Sequence, residues 1–528
     1  KTRKAFKHWG SLILQKNKTQ QEKAFRVSRT YPKILRNRKR RIQRRLDSKK
    51  VWNARKEPMF EASNIHYEMA DKTRAINCGG IGAIHLMARK LGLIEAIDQD
   101  LELLKVHLPY HESDHVLNIA YNVLVGGVRL EDIESLRNNE CYLDALGAKR
   151  IPDPTTAGDF TRRFAPEDIE NLMEVFNRTR KKVWDQQPKG FLKEAVIDID
   201  GTIAPTLGKC KGGMDISYKG IWGYMPLLIS LSNTKEPLYL VNRPGNVASH
   251  QGAAPWVDRA LELVKPHAGS ICLRGDTDFS LTAHFDDWEQ KCDFVFGMDA
   301  NATMTGHAQA LPEAHWHRMA RVDRNPPKGP EREKPEQVKE RIIKEREFMN
   351  QRLQSEDVAE FDYRPGKCKK DYRVVVVRKN ISVEKGEAHL FDEIRYFFYI
   401  TTRRDMSAIE LVQFAHERCD QENLIAQLKG GINALRMPVN DLNSNWAYMV
   451  MASLAWSLKA WFGQLMPNKK RGAEIQRMEY RRFLNAIILL PTQIIRQGRK
   501  VIYRILGYND WLPDLFSTWQ RFRKLKPL

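Results

Sequence analysis

A chain of 528 residues with 42% apolar content can bury a sizeable core and divide into two to four domains. Its 87 Lys and Arg against 65 Asp and Glu give a formal net charge of +22, which favours a polyanionic partner, most often nucleic acid. No apolar run approaches the roughly 18 residues of a membrane span, and none of the seven cysteines forms a CxxC pair, which argues against a zinc site.

Residues 1–60 read as a basic arm, since the first 50 hold 19 Lys and Arg against only Glu22 and Asp47. Trp9, Phe25 and Tyr31 among those charges suggest folding onto a partner; the plain alternative is a solvated tail. Residues 61–190 read as a helical, DNA-binding region, with apolar residues at helical spacing in 81–93, 115–124 and 169–184. Asp153-Pro154-Thr155-Thr156 ends one segment and starts the next, with Thr155 or Thr156 as the predicted N-cap. The helix that follows carries Arg162 and Arg163, which suit a DNA-reading element as well as they suit an ordinary solvated face.

From residue 191 the pattern turns to strands: 195–200, 226–232 and 238–242, then a helix at 254–264, a strand at 270–273, a helix at 281–290 and a strand at 293–296. Short links make the first three an antiparallel meander, and the helical crossovers add the last two in parallel. This is the element order of an RNase H-like α/β core with a five-stranded mixed sheet, begun by residues 191–298. Residues 299–405 interrupt it with an insertion that is charged and then helical over 325–344 and carries strands at 372–377 and 395–401. A helix starting near Ser407, within 406–435, completes the core. Residues 436–528 read as a C-terminal helical region ending in a basic stretch.

Four carboxylates stand out. Asp198 and Asp200 lie two apart on the first strand and so share a face, and a carboxylate on a buried strand must be paired or bound to metal. Asp200 sits at the carboxyl end, where such sheets place ligands, but Asp198 is an open rival. Asp276 repeats the arrangement after Arg274-Gly275 on what is predicted to be the neighbouring strand. Each aspartate alone reads as a turn former or cap; together they suggest a shared ion. On the 407–429 helix, Arg418, Glu422 and Lys429 fall within roughly 40° of one another, on a stripe that includes Leu411, Ala415 and Ile425. A structural Arg418–Glu422 ion pair is the simpler alternative. Phosphodiester cleavage by two magnesium ions calls for hard oxygen ligands of this kind, with cations such as Arg418 and Lys429 beside them for phosphate.

These residues resemble the DDE transposases of bacterial insertion sequences, and within them insertion sequence family 1380 of the insertion sequence 4-like superfamily. The shared patterns are Asp200-Gly201-Thr202, Arg274-Gly275-Asp276-Thr277-Asp278-Phe279, and the Arg418, Glu422, Lys429 spacing; the stretches from His111 to Gly127 and from Ile151 to Phe164 also match. The family's signature Tyr is Ala415 here, with Phe414 or His416 as neighbours able to substitute. The resemblance implies a catalytic metal triad of Asp200, Asp276 and Glu422. It implies two Mg²⁺ ions, which Mn²⁺ can replace, and DNA contacts by Arg418, Lys429 and Arg274, with Arg162 and Arg163 on the helical flank. It also implies terminal inverted repeats and target DNA as partners, a homodimer in a synaptic complex with the C-terminal region contributing, and a bacterial, nucleoid-associated location in the cytoplasm. Trp316 is the insertion's candidate for holding a flipped base. The alternatives are a structure-specific nuclease on the same fold and a domesticated DNA-binding protein without catalysis.

If the basic arm contacts about five phosphates, deleting residues 1–50 lowers the slope of log affinity against log salt by about 4–5. Nucleic-acid binding measured over a salt series checks this; an unchanged slope places the arm off the nucleic acid.

Overall fold

The computed structural model describes residues 31–46, 62, 64–70, 72–107, 109–208, 210–320, 351–384, 387–498 and 500–525. Most of the basic arm and the 325–344 stretch lie outside these residues.

The N-terminal helices include α1 (Ile81–Lys90), α2 (Leu93–Asp100), α3 (Glu112–Leu124), α4 (Pro154–Thr161) and α5 (Pro166–Trp184). The N-cap of α4 is Asp153, not a threonine. Its carboxylate accepts from the Thr156 N–H at 2.9 Å and the Thr156 hydroxyl at 2.8 Å, and Pro154 takes the first helical position, where its missing N–H costs nothing. Because α4 stops at Thr161, Arg162 and Arg163 lie just past its C-terminal end, and Arg162 pairs with Asp159 one turn back.

The sheet begins with β1 (Leu192–Gly201), β2 (Leu227–Leu231) and β3 (Glu236–Val241), an antiparallel meander. Helix α6 (Ala254–Val264) leads to β4 (Ala268–Gly275), which pairs in parallel with β1, and β5 (Asp293–Met298) pairs in parallel with β4. The expected sheet of five strands is in fact one of nine. The insertion strands β6 (His317–Arg318), β7 (Gln351–Tyr363), β8 (Tyr372–Glu384) and β9 (Glu387–Thr401) continue it, in the order β6-β7-β8-β9-β5-β4-β1-β2-β3. The join is the antiparallel ladder from Phe398↔Met298 to Thr401↔Val295. It covers what would otherwise be an open edge of β5.

Strand β7 is rich in acidic residues and reads poorly as a strand. Its pairing with β8 supplies what its propensity lacks: Glu356 stands opposite Lys379, and Asp357 opposite Arg378.

After the sheet come α7 (Ala408–His416), α8 (Cys419–Ala426) and the long α9 (Leu442–Gln464). The C-terminal region is not wholly helical. A hairpin of Thr492–Gln497 and Lys500–Ile505 pairs with Ala75–Ile76, joining the two flanks, before α10 (Leu512–Lys524).

One buried carboxylate joins both flanks to the core. Glu236, at the start of β3, is fully buried and accepts from Arg180 Nε at 2.9 Å and Trp184 Nε1 at 3.3 Å on α5. It also accepts from Trp461 Nε1 at 2.8 Å and Gln464 Nε2 at 2.7 Å on α9. Glu236→Ala strands the buried Arg180 charge and is expected to destabilise the fold by about 3–5 kcal/mol, whereas Arg180→Met with Glu236→Leu loses less. Denaturant unfolding of the three proteins measures both; a single variant no worse than the double contradicts the assignment.

Candidate metal and phosphate site

The parallel register of β1 and β4 sets Asp198 opposite Arg274 and Ile199 opposite Gly275, so Asp200 and Asp276 leave neighbouring strand ends side by side. A Cβ on Gly275 would come within 2.9 Å of the Phe279 Cβ and 3.0 Å of the Phe296 ring, so the close turn that aims Asp276 needs glycine.

The two aspartates of β1 part company. Asp198 is 1% exposed and bound bidentately by Arg274, Nε to Oδ1 at 2.7 Å and Nη2 to Oδ2 at 3.0 Å. Arg274 also donates to the Phe414 carbonyl at 2.7 Å and the Ser232 hydroxyl at 3.2 Å, and its guanidinium lies 4.7 Å from the Phe414 ring centroid. Its side chain is 2% exposed, so the Arg274 guanidinium is engaged here as a buried counter-charge to Asp198.

Asp200 faces Arg418 instead. Arg418 Nη1 donates to Asp200 Oδ2 at 3.1 Å, while its Nη2 lies 3.9 Å from Asp276 Oδ2 and 4.0 Å from Glu422 Oε1. One guanidinium thus sits among all three carboxylates. The anticipated Arg418–Glu422 ion pair is the longest of these contacts, and Glu422 is 61% exposed. Asp276 is also the cap expected of a turn former: its Oδ1 accepts from the Asp278 N–H at 3.1 Å, which leaves Oδ2 toward Arg418.

Burial and the Asp276 charge raise the Asp200 carboxyl to about 6, against the pull of Arg418. Burial and the Asp278 charge raise Asp276, again opposed by Arg418. Burial lowers Lys429, with the Asp200 charge opposing and Lys219 adding to the shift.

The helix carrying these residues is not continuous. α7 ends at His416 and α8 starts at Cys419, joined by short i→i−3 bonds from the Arg418, Asp420 and Gln421 amides; a π turn at Gln427–Gly431 follows. The anticipated single apolar stripe therefore splits. Leu411 packs with Val375 and Val377 under the insertion half of the sheet, and Ile425 packs in the main core. Gln421, which the sequence did not single out, docks α8 on the sheet. Its buried Nε2 donates to the Asp198 carbonyl at 2.9 Å and lies 3.1 Å from the Ser230 hydroxyl.

A cleft of about 600 Å³ opens beside Asp276 and Arg418, lined also by Lys379, Tyr399, Ala415 and His416. The Tyr399 hydroxyl lies 2.9 Å from His416 Nε2, so an aromatic hydroxyl from β9 stands near the position that Ala415 leaves without one. Period-two alternation on β9 was the signal that could have singled it out. Trp316, the candidate for holding a flipped base, lies half-buried beneath Arg378, whose guanidinium is 4.3 Å from the ring centroid.

The family model described as transposase DDE domain group 1 matches residues 72–526. A solved piggyBac transposase synaptic complex with hairpin DNA is similar over 78% of this chain and 80% of that chain, with 11% identity and a TM-score of 0.36. No curated protein matches.

An acid whose pKa is raised by folding holds more protons folded than unfolded between its two pKa values, so stability falls as pH rises through that window. In chelator, the wild type is therefore expected to lose on the order of 2 kcal/mol relative to Asp200→Asn between about pH 4 and pH 7. Urea unfolding at each pH reads this difference; parallel profiles refute the shift.

Proposed function

Because the chain belongs to the transposase DDE domain family, matched over residues 72–526, we propose that it is a DNA transposase that cuts its element's ends and joins the freed 3′-hydroxyl to target DNA. The observation that carries the chemistry is the convergence of Asp200, Asp276 and Glu422 on the single Arg418 guanidinium.

The donor set fits a hard divalent cation. It offers oxygens alone, from two strand ends and one helix, and the single Arg418 cation offsets only part of their charge. Two Mg²⁺ ions, or Mn²⁺ in their place, would be held by these carboxylates and would supply electrostatic stabilisation of the developing charge at phosphorus. With that charge present, Arg418 would be free to hold a phosphate, and Lys429, in the π turn that follows α8, would add a second cation. Arg274 positions rather than binds: it fixes Asp198 and the α7 end, so that Asp200 and Glu422 keep their spacing. Asp200, not Asp198, is the first ligand, because Asp198 is committed to Arg274.

In this reading the β3-β2-β1-β4-β5 part of the sheet is an RNase H-like core, supported by its antiparallel meander and two parallel additions. Arg162 and Arg163 grip the backbone of the terminal inverted repeats, and the flanks joined by the C-terminal hairpin pair two copies in a synaptic complex. The grouping with insertion sequence family 1380, and with it a bacterial, nucleoid-associated cytoplasmic setting, rests on the motif spacing.

With labelled inverted-repeat DNA and Mg²⁺, the wild type is expected to give nicked and then joined products, and Glu422→Gln neither, with a rate loss of roughly 10²-fold or more for a removed charge-stabilising group. Cleavage without joined products would favour a structure-specific nuclease. Unchanged cleavage by the variant removes Glu422 from the mechanism.

A further inference from the structure

Apart from this site, one donor atom each from His107, His111 and Glu112 lies within 4.8 Å of the others. Glu112 opens α3 and is fully buried, and its Oε1 accepts from the Leu103 N–H at 3.0 Å and the Leu104 N–H at 2.9 Å. Its Oε2 is thereby aimed at His107 Nε2, 3.0 Å away. The His107 and His111 rings stack, their centroids 4.5 Å apart and their planes at 20°. Among the described residues no Lys or Arg pairs with Glu112; its single ion-pair partner is His107, a cation only when protonated. A carboxylate removed from water needs a cation or a full set of donors.

We propose that His107, His111 and Glu112 hold a divalent transition-metal ion of the zinc class, with water completing four-fold coordination. Two imidazoles and a carboxylate suit zinc and not magnesium. Bonds of about 2.0–2.1 Å put tetrahedral donor pairs roughly 3.4 Å apart, closer than the 4.8 Å within which the donors now lie, and both histidines are exposed, with room to turn. The lack of a CxxC pair weighs against thiolate sites and leaves this set untouched. The positive end of the α3 dipole opposes a cation, and the Glu112 carboxylate at the first helical position offsets it.

The string His111-Glu112-Ser113-Asp114-His115 spells the HExxH pattern in which two histidines of one helical face bind zinc and the glutamate acts as base. The geometry is different here. His111 is the N-cap, and His115 is buried, with its ring stacked on Phe160 at 4.2 Å. The donors are instead His107, His111 and Glu112, so the ion is a fastener and not a hydrolytic centre. It ties the segment before α3 to the helix start. That segment contributes Lys105 and Tyr110 to one wall of a cleft of about 850 Å³, and Lys149, Arg150 and Arg163 also line it. A bound ion would hold one wall of a basic groove in place.

The test uses the full chain stripped by chelator, kept in excess Mg²⁺ to occupy all-oxygen sites, and titrated with Zn²⁺ or Co²⁺. The wild type should bind one equivalent more than His107→Ala/His111→Ala, and the Co²⁺ form should show a four-coordinate visible spectrum that the variant lacks. Loss of an outer-shell partner weakens metal sites by roughly 10–100-fold, so each single histidine variant should weaken zinc at least that much. Both histidines are exposed, so circular dichroism should show the variants folded. Equal zinc stoichiometry and affinity in wild type and double variant overturn the proposal, whatever the outcome of the cleavage assay.

Discussion

The Arg274–Asp198 pair is the constraint on which the rest of the site depends. It bridges β1 and β4 inside a sheet where an unpaired charge would be prohibitively desolvated, and a third donor of Arg274 reaches the last turn of α7. One guanidinium therefore ties two neighbouring strands to the segment that delivers Arg418 and Glu422. It also separates the two aspartates of β1. A bidentate arginine satisfies one carboxylate well, so Asp198 becomes structure, and Asp200, two residues on at the strand end, is left to the smaller cationic demand of Arg418.

How much of this is legible in the sequence depends on which force makes each element. The core strands announce themselves because burial on both faces demands runs such as Ala195-Val196-Ile197 and Leu227-Leu228-Ile229, and burial is what composition records. β7 does not, because cross-strand partners on β8 and not its own residues make it a strand. The count of five core strands fails for a related reason. Nothing within 293–296 says whether its outer edge meets water or another strand; that is decided by residues 398–401, a hundred positions away.

The candidate site shows the same division. Asp200, Asp276 and Glu422 are visible as carboxylates at element ends, and their nearness follows from strand order. The role of Arg274 is not visible, since a charged residue before Gly-Asp looks alike whether it points at solvent or at Asp198. The helical wheel places Arg418 and Glu422 on one face but assumes an unbroken helix. The i→i−3 tightening at Glu417–Arg418 and the later π turn change the phase, so α7 packs under the insertion and α8 under the core. The break lets one helical segment serve two hydrophobic clusters while its charged residues stay at the junction.

That junction imposes an electrostatic order on the proposed chemistry. Asp200 and Asp276 are both raised by burial, and Arg418 opposes the shift in each. A divalent cation entering among them repeats what the guanidinium already does, only more strongly, and the two positive groups cannot share the same oxygens without repulsion. Metal held by Asp200, Asp276 and Glu422 would therefore compete with Arg418 for the same oxygens. Arg418, carried on the same segment as Glu422, would then be free to hold a phosphate diester beside the site. The same residue that makes the site tolerable without metal becomes, in this reading, its phosphate hand once metal arrives.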